Sequence, residues 1–326
     1  MRARGNSVID GAMSESSRNL RGVTLRQLRT FHAIARLRSF TAAARELHIT
    51  QPAVSMQVRE LEELVGGALY ERVGRRVHLT AAGDELAACA AGMLNLLGDT
   101  EARLAALTGQ GGGVLKLGAI STAAYFAPAL VAAFRARQPA LALQFKVGNR
   151  EDIQRRLADN EFDLAIMGRP PAGVATVATR FADHPLVVVA APDHPLAGAA
   201  RVPFARLAGE HFLVREPGSG TRAALEEVFA THGLALASSL EMSSNETLKQ
   251  AVMAGLGLAF ISRHAIGLEL ATGRLAQLAV DGLPLLRAWY VVHLAAKRLT
   301  PLAAGFRDFL LTEGPVALDA AVNRGA

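Results

Sequence analysis

Residues 39–66 read SFTAAARELHITQPAVSMQVRELEELVG, and their pattern predicts two helices joined by a short turn in the N-terminal part of the chain. A short helix is predicted from Thr41 to Leu47, because threonine is a favourable N-cap residue. A brief turn follows, and a second helix is predicted to begin at Gln51-Pro52, since proline is tolerated in the first helical turn. Two short helices joined by such a turn form a helix-turn-helix.

The second helix of this pair has one apolar and one polar face. Ile49 in the preceding turn and Val54, Val58 and Leu61 of the helix are expected to face inward. The outward side chains have the chemistry that reads DNA bases, because glutamine bonds a base edge in two places, arginine contacts guanine or phosphate, and methionine touches a thymine methyl. An ordinary helical hairpin with a polar face is the alternative. The candidate DNA contacts on this helix are Gln51, Ser55, Met56, Gln57 and Arg59.

Segments on both sides of the two helices complete a small module. Upstream, the apolar positions of Val23–Arg38 mostly follow the spacing of an amphipathic helix. Downstream, Leu69–Leu79 alternates around a glycine and predicts a hairpin whose tip carries Arg75 and Arg76. Arginines at such a tip suit a narrow minor groove or a phosphate. Residues 23–80 are therefore predicted to form a winged helix-turn-helix that binds double-stranded DNA.

The positive charge of the chain is concentrated in the same module. The 326 residues carry a formal net charge of +6, from 35 basic and 29 acidic residues. Residues 18–80 contain 11 arginines and 5 glutamates, which is also a net charge of +6. A basic module beside a nearly balanced body is typical of a nucleic-acid-binding protein, and a solvated basic surface is the alternative.

Composition excludes several other classes of protein. Hydrophobic residues make up 51% of the chain, which excludes a disordered or fibrous protein. A single cysteine, Cys89, excludes a disulfide scaffold and a cysteine-built metal site. Residues 1–22 are expected to form a disordered tail, and residues 313–326 a second tail. The longest uncharged run is interrupted by polar residues, whereas a membrane span needs about 20 mostly apolar ones, so a soluble, cytoplasmic protein is expected.

A long helix is predicted from Thr80 to Leu107, within a linker assigned to residues 81–109. Its apolar positions alternate spacings of four and three, which is the pattern of a coiled-coil seam. A helix packed on its own domain is the alternative. A homodimer through this helix is favoured, because two-fold proteins read two-fold DNA sites. The seam positions are Leu86, Ala90, Met93, Leu97, Thr100, Leu104 and Leu107.

Residues 110–312 are predicted to form a body of two α/β halves after a glycine hinge at 110–113. Strands and helices alternate in each half, and the arrangement resembles the bilobed architecture of periplasmic binding proteins. The fold class is therefore α+β multidomain. The predicted strands are Val114–Ile120, Leu141–Val147, Asp163–Met167, Leu186–Ala190, His211–Val214, Ser239–Met242, Leu258–Ile261 and Leu285–His293.

A ligand site is expected where these strands end. Ligands of such sheets bind beyond the carboxyl ends of the strands, and free N–H groups at a helix N-terminus favour an anion. Simple N-capping explains single residues equally well. The candidate effector contacts are Ser121, Thr122, Gly148, Asn149, Gly168, Gly218, Ser219, Gly220, Thr221, Asn245 and Glu246. The same rule also reaches Arg169, Arg215, Arg222 and Ser244.

No catalytic constellation emerges from the sequence. The nine histidines are scattered. His184 and His194 lie in two Asp-His-Pro-Leu segments, which are interpreted as turns rather than as a metal pair. The chain is therefore not expected to be an enzyme, and no metal and no cofactor are expected.

Taken together, these residues resemble the LysR-type transcriptional regulators. Residues 24–80 are similar to the winged helix of that family, and the similarity covers nearly the whole chain except about the first 22 and the last dozen residues. Five segments more narrowly resemble the regulators of RuBisCO and Calvin-cycle operons, the CbbR type. They are STAAYFAPAL (121–130), VGNRED (147–152), DLAIMGRPP (163–171), REPGSGTR (215–222) and SNETLKQAV (244–252).

The resemblance implies an activator or repressor, commonly a homotetramer, whose promoter contacts change when a small anionic metabolite enters the cleft. In this subfamily such effectors tend to be phosphorylated or dinucleotide metabolites, for example a sugar phosphate or NADPH. RNA polymerase is the further partner expected. The implied DNA readers are Gln51, Pro52, Ser55 and Gln57 with the wing arginines, and the candidate set also includes Thr41. The implied effector contacts are Ser121, Thr122, Asn149, Thr221 and Asn245.

Two alternatives to this interpretation remain open. In the first, the chain is a LysR-type regulator of another pathway, which senses a different anion. In the second, a DNA-binding module is fused to an α/β enzyme. The lack of a catalytic set in the sequence argues against the second.

Overall fold

A computed structural model describes residues 20–74, 76–108, 113–236 and 238–323 of the chain. They belong to two units, Met1–Leu94 and Asn95–Ala326, called here the N-terminal and the C-terminal unit. The division falls inside the helix Ala81–Leu107, whereas the sequence assigned that helix to a separate linker.

The N-terminal unit contains the predicted winged helix-turn-helix. Its elements are α1 (Leu25–Leu37), α2 (Phe40–Glu46), α3 (Gln51–Val65), β1 (Tyr70–Val73), β2 (Arg76–Leu79) and the start of α4 (Ala81–Leu107). Strands β1 and β2 pair antiparallel, with Val73 opposite Arg76. The wing is therefore present, and Arg75 lies outside the described residues.

Side-chain caps set where the first helices begin. Thr24 and Gln27 form a capping box at α1, and the hydroxyl of Thr50 accepts from the N–H of Ala53 at α3. The prediction that Thr41 caps α2 is wrong. Ser39 is the cap, because its extended backbone lets its hydroxyl accept from the N–H of Ala42.

One apolar cluster holds the N-terminal unit together. Phe31, Ile34, Val54 and Leu61 are completely buried in it, and burial of each such side chain contributes about 1.5–3 kcal/mol. The small Ala43 is buried with them. The inward positions predicted on α3 are therefore confirmed. The prediction that Ile49, just before this helix, faces inward is wrong, because its side chain is 37% exposed.

Helix α4 uses the predicted seam in two different ways. Leu86 and Ala90 are buried in the core of the N-terminal unit, whereas Met93, Leu104 and Leu107 are exposed. Leu86 and Ala90 therefore pack within their own unit, which agrees with the alternative of a helix packed on its own domain. The later exposed positions are free to contact a second chain.

In the C-terminal unit, strands from both predicted halves join one sheet. The strands are β3 (Val114–Ile120), β4 (Ala142–Gly148), β5 (Leu164–Met167), β6 (Thr176–Ala190), β7 (His211–Arg215), β8 (Ser238–Met242), β9 (Leu258–Ser262), β10 (Ala276–Gln277) and β11 (Leu285–Leu294). Their order in the sheet is β4-β3-β5-β11-β6-β9-β7-β8, and β10 pairs with β6. Parallel pairs lie toward the two ends, and β6 and β11 cross the middle antiparallel.

Helices cover this sheet and separate it into two lobes. The first lobe has β3, β4 and β5 with a core that includes Phe126, Phe162 and Trp289, and the second has β7, β8 and β9 with a core that includes Phe212 and Phe229. The two predicted halves are therefore confirmed. The helices are α5 (Ala127–Arg135), α6 (Arg150–Ala158), α7 (Gly220–Thr231), α8 (Asn245–Met253), α9 (Gly267–Ala271), α10 (Pro301–Thr312) and α11 (Gly314–Asn323).

Two local predictions in this unit are wrong. The segment 313–326 was expected to be a tail, but α11 occupies most of it and buries Leu318 in the core of the first lobe. The segment Asp183–Leu186 was expected to be a turn, because proline cannot donate a ladder hydrogen bond. It instead lies within β6, where His184 is paired with Arg287 of β11.

Within the described ranges, no helix combines the length and the hydrophobicity that a bilayer span requires.

A buried ion cluster fastens the last part of α4 to the first lobe. The Nζ atom of Lys297 lies 2.7 Å from Asp99 Oδ2 on α4 and 3.2 Å from Asp163 Oδ1. It also donates to the side-chain oxygen of Asn160 at 2.9 Å. The side chains of Lys297, Asp99 and Asp163 are each less than 5% exposed. Because water cannot replace a lost partner there, the cluster is far more sensitive to substitution than a surface ion pair.

We expect Lys297→Met to lower the free energy of unfolding by about 3–5 kcal/mol, since it removes the cation nearest to two buried carboxylates and leaves Asp99 only the longer contact with Lys116, at 3.5 Å. Urea unfolding of the full chain measures the loss. The matched control is Arg201→Met, which breaks the exposed pair of Arg201 with Asp281 and should cost less than about 1 kcal/mol. Equal stability of the two variants would contradict the role given to Lys297.

Candidate nucleic-acid interface and effector cavity

The predicted DNA-contacting side chains lie on an accessible face of α3. Gln51, Pro52, Met56 and Arg59 are exposed, and Ser55 is half-buried. The amide nitrogen of Gln51 donates to the hydroxyl of Ser55 at 2.9 Å, so these two polar groups lie one helical turn apart on one surface. This face can present several hydrogen-bonding groups to the edges of bases.

Three other members of the candidate DNA set have different surroundings. Gln57 is half-buried, and its side-chain oxygen accepts from the hydroxyl of Thr30 at 2.7 Å. The side-chain N–H groups of Gln57 are therefore the groups that can donate hydrogen bonds to DNA. Thr41 is exposed on α2, and Arg76 is exposed at the start of β2 beside the hairpin turn.

A cavity of about 460 Å³ opens between the two lobes of the C-terminal unit. Its first wall follows the carboxyl ends of β3, β4 and β5, and its second wall is the loop before α7 with the first turn of that helix. Eight of the predicted effector residues line it: Ser121, Thr122, Asn149, Gly168, Gly218, Ser219, Gly220 and Thr221.

The remaining predicted effector residues line a second, more open cavity of about 590 Å³. They are Gly148, Asn245 and Glu246. Ser121 and Asn149 line both cavities. The predicted effector residues are therefore distributed over two cavities rather than one.

Arg215 and its partners build the wall of the second cavity. Arg215 is 3% exposed, donates to both carboxylate oxygens of Glu216 at 2.8 and 2.9 Å, and also donates to the side-chain oxygen of Asn245. Burial opposes ionisation of Glu246, but hydrogen bonds from Tyr125 and Lys249 hold the pKa of this carboxyl below its ordinary value. The charges in this cavity are thus compensated by neighbouring protein groups.

Helix capping does not account for all of the residues at these strand ends. Asn149 does cap α6, since its side-chain oxygen accepts from the N–H of Asp152 at 2.9 Å. At α8, however, the capping side chain is Ser244 rather than Asn245. Thr221 lies inside α7, where no side-chain cap bond is present at the first turn. Capping is thus an explanation for Asn149 and Ser244, but not for Asn245 or Thr221.

The first cavity carries positive charge that the protein does not balance. Arg222 is paired with Glu226 and Glu241, and Arg287 with Glu227. Arg150 forms no ion pair with any carboxylate of the described residues, and its buried Nε atom has no hydrogen-bond partner there. Burial and the neighbouring Arg169 lower the pKa of Arg150. An incoming anion would supply the missing counter-charge.

The floor of the first cavity contains a stack of aromatic rings. The ring of His184 lies over Trp289 with 3.9 Å between centroids and 19° between planes. The indole N–H of Trp289 donates to Nδ1 of His264 at 3.0 Å. Gly168 faces the first ring, because a Cβ atom added there would lie 2.9 Å from Nδ1 of His184.

Arg150, His184 and Arg287 are cavity residues that the sequence did not predict. Arg150 directly follows Asn149, so its position at the start of a helix after a strand was an available signal. His184 and Arg287 lie inside the strands β6 and β11, and no signal in the sequence places them at a ligand site.

Comparison with known families agrees with both units. Residues 25–84 match the family described as bacterial regulatory helix-turn-helix protein, lysR family, and residues 108–315 match the LysR substrate binding domain. The chain belongs to the LysR family of transcriptional regulators. The predicted fold class is confirmed, and this regulator is not an enzyme.

Among its relatives is the RuBisCO operon transcriptional regulator of Allochromatium vinosum, which is 48% identical over 291 residues, covering 89% of this chain and 96% of the relative. The HTH-type transcriptional regulator CfxR of Cupriavidus necator is also 48% identical, covering 90% and 92%. The family and subfamily resemblance of the sequence is thus confirmed.

Solved structures of LysR regulators resemble parts of this chain. The regulatory domain of CcmR from Synechocystis PCC6803, in complex with 2-PG, is 40% identical with a TM-score of 0.60, and the match covers 62% of this chain and 99% of that one. The LysR family regulator CbnR is 20% identical with a TM-score of 0.65, and the match covers 88% of this chain and 98% of that one. This likeness supports the fold alone.

We expect the LysR-family regulator to separate base reading from phosphate binding. Gln51→Ala should reduce preference for the specific operator by about 1–3 kcal/mol, the cost of a lost bidentate base contact. Arg76→Ala should weaken binding to specific and random duplexes alike and reduce the slope of log affinity against log salt by about 1. Fluorescence anisotropy with both duplexes at several salt concentrations measures these effects, and indistinguishable behaviour of the two variants would contradict the assigned roles.

Proposed function

We propose that this LysR-family regulator controls a RuBisCO operon and responds to a small phosphorylated metabolite bound between its two lobes. The observation that carries the metabolite part is Arg150, a half-buried cation without a carboxylate partner among the described residues. The operon part is supported by relatives that are 43–48% identical over about nine-tenths of the chain and are named as RuBisCO operon regulators or as the regulator CbbR.

The polar groups of the first cavity favour an anionic ligand. Arg150 and Arg169 both line this cavity. Among the described residues, Arg169 forms its ion pair with Glu227, with 4.0 Å between the guanidinium nitrogen and the carboxylate oxygen. The hydroxyls of Ser121 and Thr122 and the N-terminus of α7 supply further donors. A phosphate group uses such a set fully, because its oxygens accept several charge-assisted hydrogen bonds.

The first candidate for the metabolite is 2-phosphoglycolate, since 2-PG is bound by the regulatory domain of CcmR. A sugar phosphate and NADPH remain further candidates. A cavity of about 460 Å³ lies in the range usual for small-molecule sites, about 300–1,000 Å³.

On the DNA side, we propose that α3 enters the major groove and that the wing contacts the adjacent backbone or minor groove. The exposed apolar side chains Met93, Leu104 and Leu107 of α4 support a homodimer through this helix, and a homotetramer is the proposed full assembly. Cytoplasmic location and contact with RNA polymerase complete the proposal.

The experiment that tests this function is a footprint of the purified regulator on the promoter region upstream of RuBisCO genes. We expect a protected region with two half-sites whose extent changes when 2-phosphoglycolate is added. Binding without any change on addition of 2-phosphoglycolate, sugar phosphates or NADPH would assign the regulator to a different signal. Failure to bind that promoter would reject the RuBisCO operon as its target.

The anion site itself is tested by Arg150→Leu. We expect the dissociation constant for 2-phosphoglycolate to rise at least about tenfold, because a hydrogen bond to a charged group contributes about 1.5–3 kcal/mol. Isothermal titration calorimetry on the full chain measures it. Arg155→Leu is the matched control, since Arg155 lies on the same helix but is 61% exposed and pairs with Asp152. Equal losses in the two variants would contradict a direct contact by Arg150.

A further inference from the structure

We infer that His184 is a specificity-determining residue of the effector cavity, whose neutral imidazole hydrogen-bonds a second oxygen group of the ligand, apart from the anionic group that Arg150 binds. This inference rests on the effector function proposed above for the same cavity. It restricts the ligand to molecules with two polar ends, such as a phosphate at one end and a carboxylate or hydroxyl at the other.

The first argument is that the ring nitrogens of His184 form no hydrogen bond with other described residues of the chain. The residue is 5% exposed and lines the cavity. Neither Nδ1 nor Nε2 has a hydrogen-bond partner among the described residues. Buried polar side-chain atoms nearly always have a partner, so an unpaired pair of ring nitrogens at a cavity wall needs an explanation.

The second argument is that packing explains the ring but not its nitrogens. The stack on Trp289 uses the flat face of the imidazole, and a purely apolar ring would provide the same contact. His264 in the same cluster is different, because its Nδ1 accepts the indole N–H of Trp289 at 3.0 Å. The polarity of His264 is therefore accounted for inside the protein, and that of His184 is not.

The third argument concerns access from the cavity. Gly168 lies against the ring, and a Cβ atom at that position would approach Nδ1 of His184 to 2.9 Å. That is shorter than real Cβ contacts, so any larger residue would cover or displace this nitrogen. Both ring nitrogens are buried in the ligand-free chain, and glycine at position 168 places no side chain on Nδ1. A ligand oxygen would reach Nδ1 from the cavity that Gly168 and His184 line together.

The charge state of the imidazole determines what it recognises. Burial, together with the nearby His264 and Arg287, lowers the pKa of His184 to about 3, so the ring is neutral at physiological pH. A neutral imidazole has one N–H donor and one acceptor nitrogen. It can donate to a carboxylate or accept from a hydroxyl, but it adds no positive charge to the cavity.

The test uses the full chain, two ligands and calorimetry. The ligands are 2-phosphoglycolate, which has two polar ends, and inorganic phosphate, which has one. We expect His184→Phe to keep the stacked ring, to raise the dissociation constant for 2-phosphoglycolate about tenfold, and to change that for phosphate less than about twofold. We also expect the melting temperature of the ligand-free protein to rise or stay unchanged, since two unpaired buried nitrogens are removed.

The matched control is His264→Phe, which removes the partner of the Trp289 N–H. We expect it to lower the melting temperature and to leave the ratio of the two affinities unchanged. Gly168→Ala provides an independent variant, since φ at Gly168 is not in the left-handed region and the added methyl group shields Nδ1. It should weaken 2-phosphoglycolate binding more than phosphate binding.

The outcomes separate this inference from the proposed function. If wild type binds 2-phosphoglycolate and neither His184→Phe nor Gly168→Ala changes its preference over phosphate, the role of His184 is wrong and the effector function stands. Equal loss of both ligands in His184→Phe also overturns it, because a structural role would have that effect. If wild type binds neither ligand, the proposed effector function fails and this inference fails with it.

Discussion

The C-terminal unit depends on the antiparallel pairing of β6 with β11. The ladder runs from Leu285 opposite Leu186 to Leu294 opposite Thr176. At one end β11 also pairs with β5 of the first lobe, and at the other end β6 also pairs with β9 of the second lobe. Both lobes are therefore parts of one hydrogen-bonded sheet, and the cavity between them has this pair of strands as its floor. The side chains of His184 and Arg287 reach the cavity because they are direct partners in this ladder.

Much of the fold could be predicted from the sequence because periodic patterns record which face of an element is buried. Helix α3 begins at Gln51 as expected, and most strands of the C-terminal unit start and end within one or two residues of their predicted bounds. The wall residues Ser121, Asn149 and Gly168 were also found, since the rule that ligands bind beyond the carboxyl ends of parallel strands needs only the position of those ends.

The rest of the site could not be predicted because it depends on contacts between distant segments. His184 lies in the middle of a strand that crosses between lobes, and the adjacent Pro185 made its segment resemble a turn. Arg150 differs from Arg155 of the same helix only in what the fold places around it. The pattern of α4 is similarly ambiguous, since a spacing of four and three marks a buried stripe but not its partner. Leu86 packs in the N-terminal unit, and Leu104 remains exposed.

The buried ion cluster around Lys297 has a mechanical consequence. Arg287 of strand β11 lines the cavity, and the strand ends at Leu294. Three residues further along, Lys297 forms the ion pair with Asp99 of α4. The ten residues of β11 extend over about 30 Å. Hydrogen bonds of Asn95 with the carbonyl of Asp159 and of Arg103 with the carbonyl of Arg298 join the same part of α4 to the first lobe. Strand β11 and the ion cluster therefore connect the cavity wall to the C-terminal part of α4 through hydrogen-bonded and ion-paired groups.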